Sequence, residues 1–305
     1  MKIVFAGSPE FAVPALGALL SCGECEVIAV ITQPDKPVGR KQILTPTPVK
    51  ALAREKGLEV YDFKRIRDNV AEVKSLGADA MITCAYGQIL TQEVLDCFPK
   101  GVWNLHASLL PKFRGASPVQ SAIRAGQSQT GVTVMMTELA LDSGDIMLVK
   151  RCEIGDKTAG ELADTLSVLA AEAAVEAVKF LKAGNVQLLM QDEAKVSFCK
   201  KINKSDCKLD FTKSAKEVLR AIKAFSPQPA AYCNHGGLNL NILNADLIDG
   251  NGKAGEVLSA DKRGVCVACG EGAVLITLLH PAGGKVMPAR DFVNGRKIKV
   301  GDVLD

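Results

Sequence analysis

Apolar runs of five to eight residues alternate with stretches of helical period through the first two thirds of the chain, and shorter alternating segments follow. KIVFAG, EVIAVIT and ADAMITC read as buried strands, with helical segments such as PVKALAREKG lying between them. Thr158 with Glu161, and Ser214 with Glu217, have the spacing of capping boxes, the first opening a long helix to about Lys182. GVTVMMTEL and DIMLVKRCEI add two more strands. Alternating strand and helix predicts an α/β fold with a Rossmann-like, mostly parallel sheet. From AAYCNH onward, short β segments separated by Gly, Asn and Asp predict a small OB-like β-barrel. The predicted division is a catalytic domain over 1–190, a lysine-rich linker over 191–208 and a second domain over 209–305.

At 305 residues and 48% hydrophobic content, the chain is long enough for two cored domains. No run approaches the roughly 20 apolar residues that span a bilayer, and the first residues read as a strand, not a leader. A cytoplasmic protein with no membrane association is expected, acting as a monomer. Most of the ten cysteines lie singly in apolar runs, where a reduced thiol acts as a small hydrophobe. The pairs Cys22/Cys25 and Cys266/Cys269 do not precede helices and are far apart, so neither a redox motif nor a metal site is predicted. Charge is uneven: residues 200–305 hold 16 Lys/Arg against 11 Asp/Glu, while the rest is slightly acidic. That makes the last third a plausible polyanion surface.

Candidate chemistry concentrates in GVWNLHASLLPKFRGASPVQ, residues 101–120. Asn104 and His106 lie two apart on an extended segment and so share a face, and the Gly/Pro loop that follows is where an open sheet carries its site. A second polar cluster, LALDSGDIM, follows at 139–147. The G-x-G-x-x-G fingerprint is absent after the first strand, where only Gly7 stands before Pro9 and Glu10; this argues against a pyrophosphate cradle. The stretch QPDKPVGRKQILTPTP, from Gln33 to Pro48, reads as a mobile, slightly basic loop.

NLHASLLPKFRGASPVQ followed by LDSGD resembles the signature of the folate-dependent formyltransferases. GSPEFA, TQPDKPVGR, AYGQIL, FSPQPAAY and HPAGGKVMPARDF extend the resemblance over the whole chain. It implies formyl transfer from 10-formyltetrahydrofolate, without a metal, to the free amino group of methionine charged on initiator tRNA, with Asn104, His106 and Asp142 as the reacting set. An imidazole, ordinarily of pKa about 6.5, is suited to exchanging a proton near neutrality. Asp142 would orient it and favour the imidazolium, and Asn104 would supply an uncharged donor to the oxyanion. Ala85, Tyr86 and Gly87 would line the pterin pocket mostly by backbone groups, and Ser108, Leu109, Leu110 and Pro111 would lie along the folate. The Gln33–Pro48 loop would meet the tRNA through Arg40 and Lys41, and Lys200, Lys201 and Lys204 would add to that surface. On the residues alone Tyr86, Leu109 and Leu110 could equally be packed side chains. Two other readings stay open: a small amine acceptor, and a non-catalytic nucleic-acid-binding module.

Overall fold

The computed structural model describes residues 1–305 apart from Arg40 and Arg296. The chain forms two compact units, Met1–Pro118 with Gln129–Glu153 and Ala163–Cys199, and Val119–Ser128 with Ile154–Leu162 and Lys200–Asp305.

The first unit is built on a seven-stranded sheet in the order Ile146–Glu153, Gln129–Met136, Val102–His106, Ala80–Cys84, Lys2–Gly7, Glu26–Ile31, Glu59–Tyr61. The last five in that order run parallel, and the first two are antiparallel additions at one edge. Continuous apolar stretches suit strands covered on both faces: Ile3 to Ala6 and Ala80 to Ile82 are fully buried. Thr83 pairs in register with Asn104, so two polar side chains meet where these parallel strands end. Ligands gather at that edge of such sheets.

The Gln33–Pro48 stretch is not irregular throughout. Lys36–Val38 and Ile43–Thr45 form an antiparallel hairpin, because Gly39 and Gln42 adopt positive φ and the Gln42 amide donates to the Gly39 carbonyl. Its base is tied down by the buried Lys50 ammonium, which pairs with Asp35 at 2.5 Å and Asp62 at 2.6 Å. Part of the lysine-rich stretch after Gln191 is also ordered: Phe198–Cys199 pairs parallel with Arg114–Gly115.

In the second unit, five antiparallel strands follow the order Ala231–His235, Leu238–Ile248, Ala273–Pro281, Gly264–Ala268, Val257–Asp261. The terminal residues join the two edges. Asn234 exchanges backbone hydrogen bonds with Asp305 (2.7 and 3.1 Å), while Leu304 N–H donates to the Gly255 carbonyl and Val257 N–H to that of Asp302. The C-terminal residues thus bridge the sheet's two edge strands, giving a barrel-like ring. His235, for which the sequence offers no partner, donates from Nε2 to Asp302 Oδ2 at 2.9 Å and locks the same seam. The amphipathic helix Ala215–Phe225 opens with the Ser214–Glu217 box and buries Val218, Ile222 and Phe225 against this sheet's core.

Among the described residues no helix is long and apolar enough to cross a membrane, and no group of three or more His, Cys, Asp or Glu is placed to hold a metal ion. All ten cysteines are free thiols.

Candidate active site

The strand Val102–His106 delivers Asn104 and His106 to the end of the parallel sheet, and the turn after Gln129–Met136 brings Asp142 to them. His106 Nδ1 lies 3.6 Å from Asp142 Oδ2. The ring is 5% exposed, and its Nε2 is 3.0 Å from the Phe113 carbonyl. A carbonyl oxygen only accepts, so Nε2 carries a hydrogen. The neutral ring therefore keeps its lone pair on Nδ1, on the side of the carboxylate. Asp142 Oδ2 also accepts from the Gly115 amide at 2.7 Å.

Asn104 is oriented from below. The Thr83 hydroxyl donates to Asn104 Oδ1 at 3.0 Å, which turns the amide's two N–H groups the other way. Sequence reasoning passed over Thr83, although a hydroxyl ending an otherwise apolar strand, AMITC, just before a Gly turn was a usable signal. Five non-glycine residues among those described have positive φ, and Ala85, Phe113 and Asp142 are three of them. Left-handed backbone costs free energy and persists where the surroundings impose it, which is often at functional sites.

The loop after His106 is held by its own network. Ser108 is fully buried and its hydroxyl donates to the Lys112 carbonyl, so that hydroxyl faces inward. Thr133 donates to the Ser108 carbonyl and accepts from the Leu110 amide. Leu110 packs with Met135, Ile146 and Val149. Leu109 and Pro111 are half-buried. Ser197 accepts from the Phe113 amide, and Gly115, at φ 122°, passes so close to the Cys199 carbonyl that a Cβ there would collide with it.

The turn Ala85–Gly87 follows the strand Ala80–Cys84. Gln33 Nε2 donates to the carbonyls of Tyr86 (3.0 Å) and Gly87 (3.4 Å), a support from the hairpin's base that the sequence did not reveal. Tyr86 itself is a packed ring: it is 3% exposed in the cluster of Ala6, Ile31, Ile66 and Phe98, and its hydroxyl has no partner among the described residues. Burial pushes that phenol well above its ordinary pKa. Lys41 is exposed on the hairpin, and Arg40 lies outside the described residues. Lys200, Lys201 and Lys204 are exposed at the start of the second unit's main segment.

Comparison with known proteins bears on the family of the chain. Residues 1–178 match the family model described as formyl transferase, and residues 201–297 match that of the formyl transferase C-terminal domain. The methionyl-tRNA formyltransferase of Neisseria meningitidis serogroup C is 43% identical, with all of both chains covered. That of Stutzerimonas stutzeri is 45% identical over 97% of this chain and 95% of its own. Among solved structures, an N-formyltransferase from Helicobacter canadensis, in complex with folinic acid and dTDP-3-aminofucose, superposes with a TM-score of 0.69 at 17% identity, covering 94% of this chain and all of that one. HypX from Aquifex aeolicus in complex with tetrahydrofolic acid gives 0.65 at 20% identity over 96% of this chain, which spans about half (47%) of HypX. These structural likenesses bear on the fold, whereas the full-length sequence identities settle kinship: the chain belongs to the formyl transferase family, among the methionyl-tRNA formyltransferases.

Proposed function

We propose that the chain transfers the formyl group of 10-formyltetrahydrofolate to the free amino group of methionine on initiator tRNA, supplying formylated initiator for translation. The observation that carries the reading is the convergence of the Asn104 amide, the His106 Nδ1 lone pair and the Asp142 carboxylate at one end of the sheet.

Each group has one task. The neutral amine attacks the formyl carbon, and the formyl oxygen takes up negative charge. Asn104, its own oxygen already occupied by Thr83, donates an N–H to that oxygen. His106 Nδ1 removes the proton that the attacking nitrogen must lose, and the imidazolium so formed sits beside Asp142. The same proton goes to N10 of the folate as the carbon–N10 bond breaks, leaving a formamide and tetrahydrofolate. Because the amine attacks the formyl carbon directly, no protein nucleophile is needed.

Ala85, Tyr86 and Gly87 serve the pterin through their backbone, which fits a turn whose one aromatic side chain faces the core. Ser108, Leu109, Leu110 and Pro111 form a wall for the folate that is shaped by backbone more than by polar side chains. The slightly basic domain after Lys200 binds tRNA, with Lys200, Lys201 and Lys204 contributing there and Arg40 and Lys41 contributing from the hairpin. The enzyme works as a monomer in the cytoplasm. A transfer assay with radiolabelled 10-formyltetrahydrofolate tests the reading: label should pass to charged initiator Met-tRNA and not to a free glycinamide nucleotide. Equal or preferential labelling of the small amine would overturn the assignment of acceptor.

A further inference from the structure

Asp142 is held by more than the signature loop. Its carbonyl accepts from Gln191 Nε2 at 2.9 Å, and the second N–H of that amide reaches the Gly144 carbonyl at 2.8 Å. Gln191 Oε1 is itself gripped by Arg114, through Nε at 3.1 Å and Nη2 at 2.9 Å, and Arg114 Nη2 continues to Glu193 Oε1 at 2.7 Å. Both members of the central pair are buried, Arg114 at 4% exposure and Gln191 at 9%.

The amide has one workable orientation, because a flip would set its oxygen against two carbonyls and its N–H groups against a guanidinium. The two carbonyls it clamps flank the turn that carries the carboxylate, and Asp142 sits there in the left-handed region at φ 49°. The Gln191 clamp and the Gly115 amide on Oδ2 fix Asp142 from opposite ends.

We infer that Gln191, oriented by Arg114, is a positioning residue: it holds the Asp142 turn so that the carboxylate stays at its working distance from His106. The inference rests on the formyl-transfer reading above. Displacing a catalytic group by about 1 Å can cost on the order of 10²-fold in rate, so the effect falls on turnover and not on substrate affinity.

The test is Gln191→Glu, which keeps size and the link to Arg114 while replacing the two N–H donors with an acceptor. The expected result is a melting temperature within a few degrees of wild type, KM for both substrates within about twofold, and kcat lowered by roughly 10- to 100-fold. In an Asp142→Asn background the same substitution should cost little more, since the two act through one group. Arg114→Lys, which keeps the positive charge but loosens its two-point grip on Gln191 Oε1, should give a smaller fall in kcat, again with KM little changed. Wild-type kcat in Gln191→Glu, a loss carried by KM instead of kcat, or full additivity with Asp142→Asn, would overturn the inference. If Gln191→Glu does not fold, wild-type kcat in Arg114→Lys overturns it equally. Failure of wild-type enzyme to formylate Met-tRNA would instead strike the reaction assignment.

Discussion

The Gly115 amide donates to Asp142 Oδ2 at 2.7 Å, across 27 positions of sequence, while the same oxygen stands 3.6 Å from His106 Nδ1. At that separation the carboxylate and the neutral ring are in electrostatic reach but not hydrogen-bonded. In the proposed reaction that carboxylate faces the ring nitrogen that takes the proton from the amine.

Asn104→Ala, His106→Ala and Asp142→Asn should each lower kcat for Met-tRNA formylation by about 10²–10⁴-fold, the range for loss of an oxyanion donor or a proton-transfer group. Circular dichroism should show native folding in all three. Near-normal turnover in any folded variant removes that residue from the mechanism.

Thr83→Val replaces a hydroxyl by a methyl of similar size and frees Asn104 Oδ1 to rotate. The expected loss is about fivefold in kcat, in line with one hydrogen bond of ~1 kcal/mol, with KM for the folate little changed. A variant indistinguishable from wild type in kcat would mean that Asn104 needs no support from below.

Tyr86→Phe should raise stability by roughly 1 kcal/mol, because it removes a buried hydroxyl that has no partner among the described residues. Chemical denaturation reads the stability and steady-state kinetics the affinity. The folate KM should stay where it is. A several-fold rise in that KM would show that the phenol touches the substrate.

Asp302 should make barrel stability fall in acid. Its carboxylate accepts from the Lys299 amide and then from His235, which together hold its pKa below the ordinary 3.8. A carboxyl group depressed in the folded state stabilises above its unfolded value, and that contribution is lost as pH falls through the folded one. Thermal melts should show Asp302→Asn below wild type at pH 7, with the two converging under about pH 4. A gap that persists unchanged into strong acid would mean that the carboxylate's charge does not stabilise the seam.

Charge reversal at Lys200, Lys201 or Lys204 should weaken binding of charged initiator tRNA by several-fold each at about 0.15 M salt, and lower the steepness of the salt dependence by about one unit for each phosphate no longer neutralised. Folate KM should be untouched. Filter binding over a salt series separates this from a folding defect, which would not change the slope in that stepwise way.

The strand, helix and barrel-segment pattern was legible because period-2 and period-3.6 spacing reflects which faces are covered, and that is written locally. KIVFAG, ADAMITC and the Ser214–Glu217 box needed no tertiary knowledge. The hairpin at Lys36–Thr45 was not legible: four prolines suggested an irregular loop, while its turn and the tie of Lys50 to Asp35 and Asp62 depend on side chains brought from separate segments. Tyr86 shows the same limit, since an aromatic beside a glycine turn has the same letters whether it faces a ligand or a core.

From its own residues, the chain determined which groups are available for chemistry and where along the sheet they emerge: Asn104 and His106 two apart on one strand, and Asp142 in a polar turn. Only the tertiary structure decided how they are held. Thr83 beneath Asn104, the Phe113 carbonyl on His106 Nε2, and Gln191 with Arg114 behind Asp142 are hydrogen bonds between segments up to 77 positions apart. The physical reason is that a reactive group is a property of one residue, whereas its orientation is set by hydrogen bonds whose partners are chosen by packing, and packing leaves no periodic trace in a single sequence.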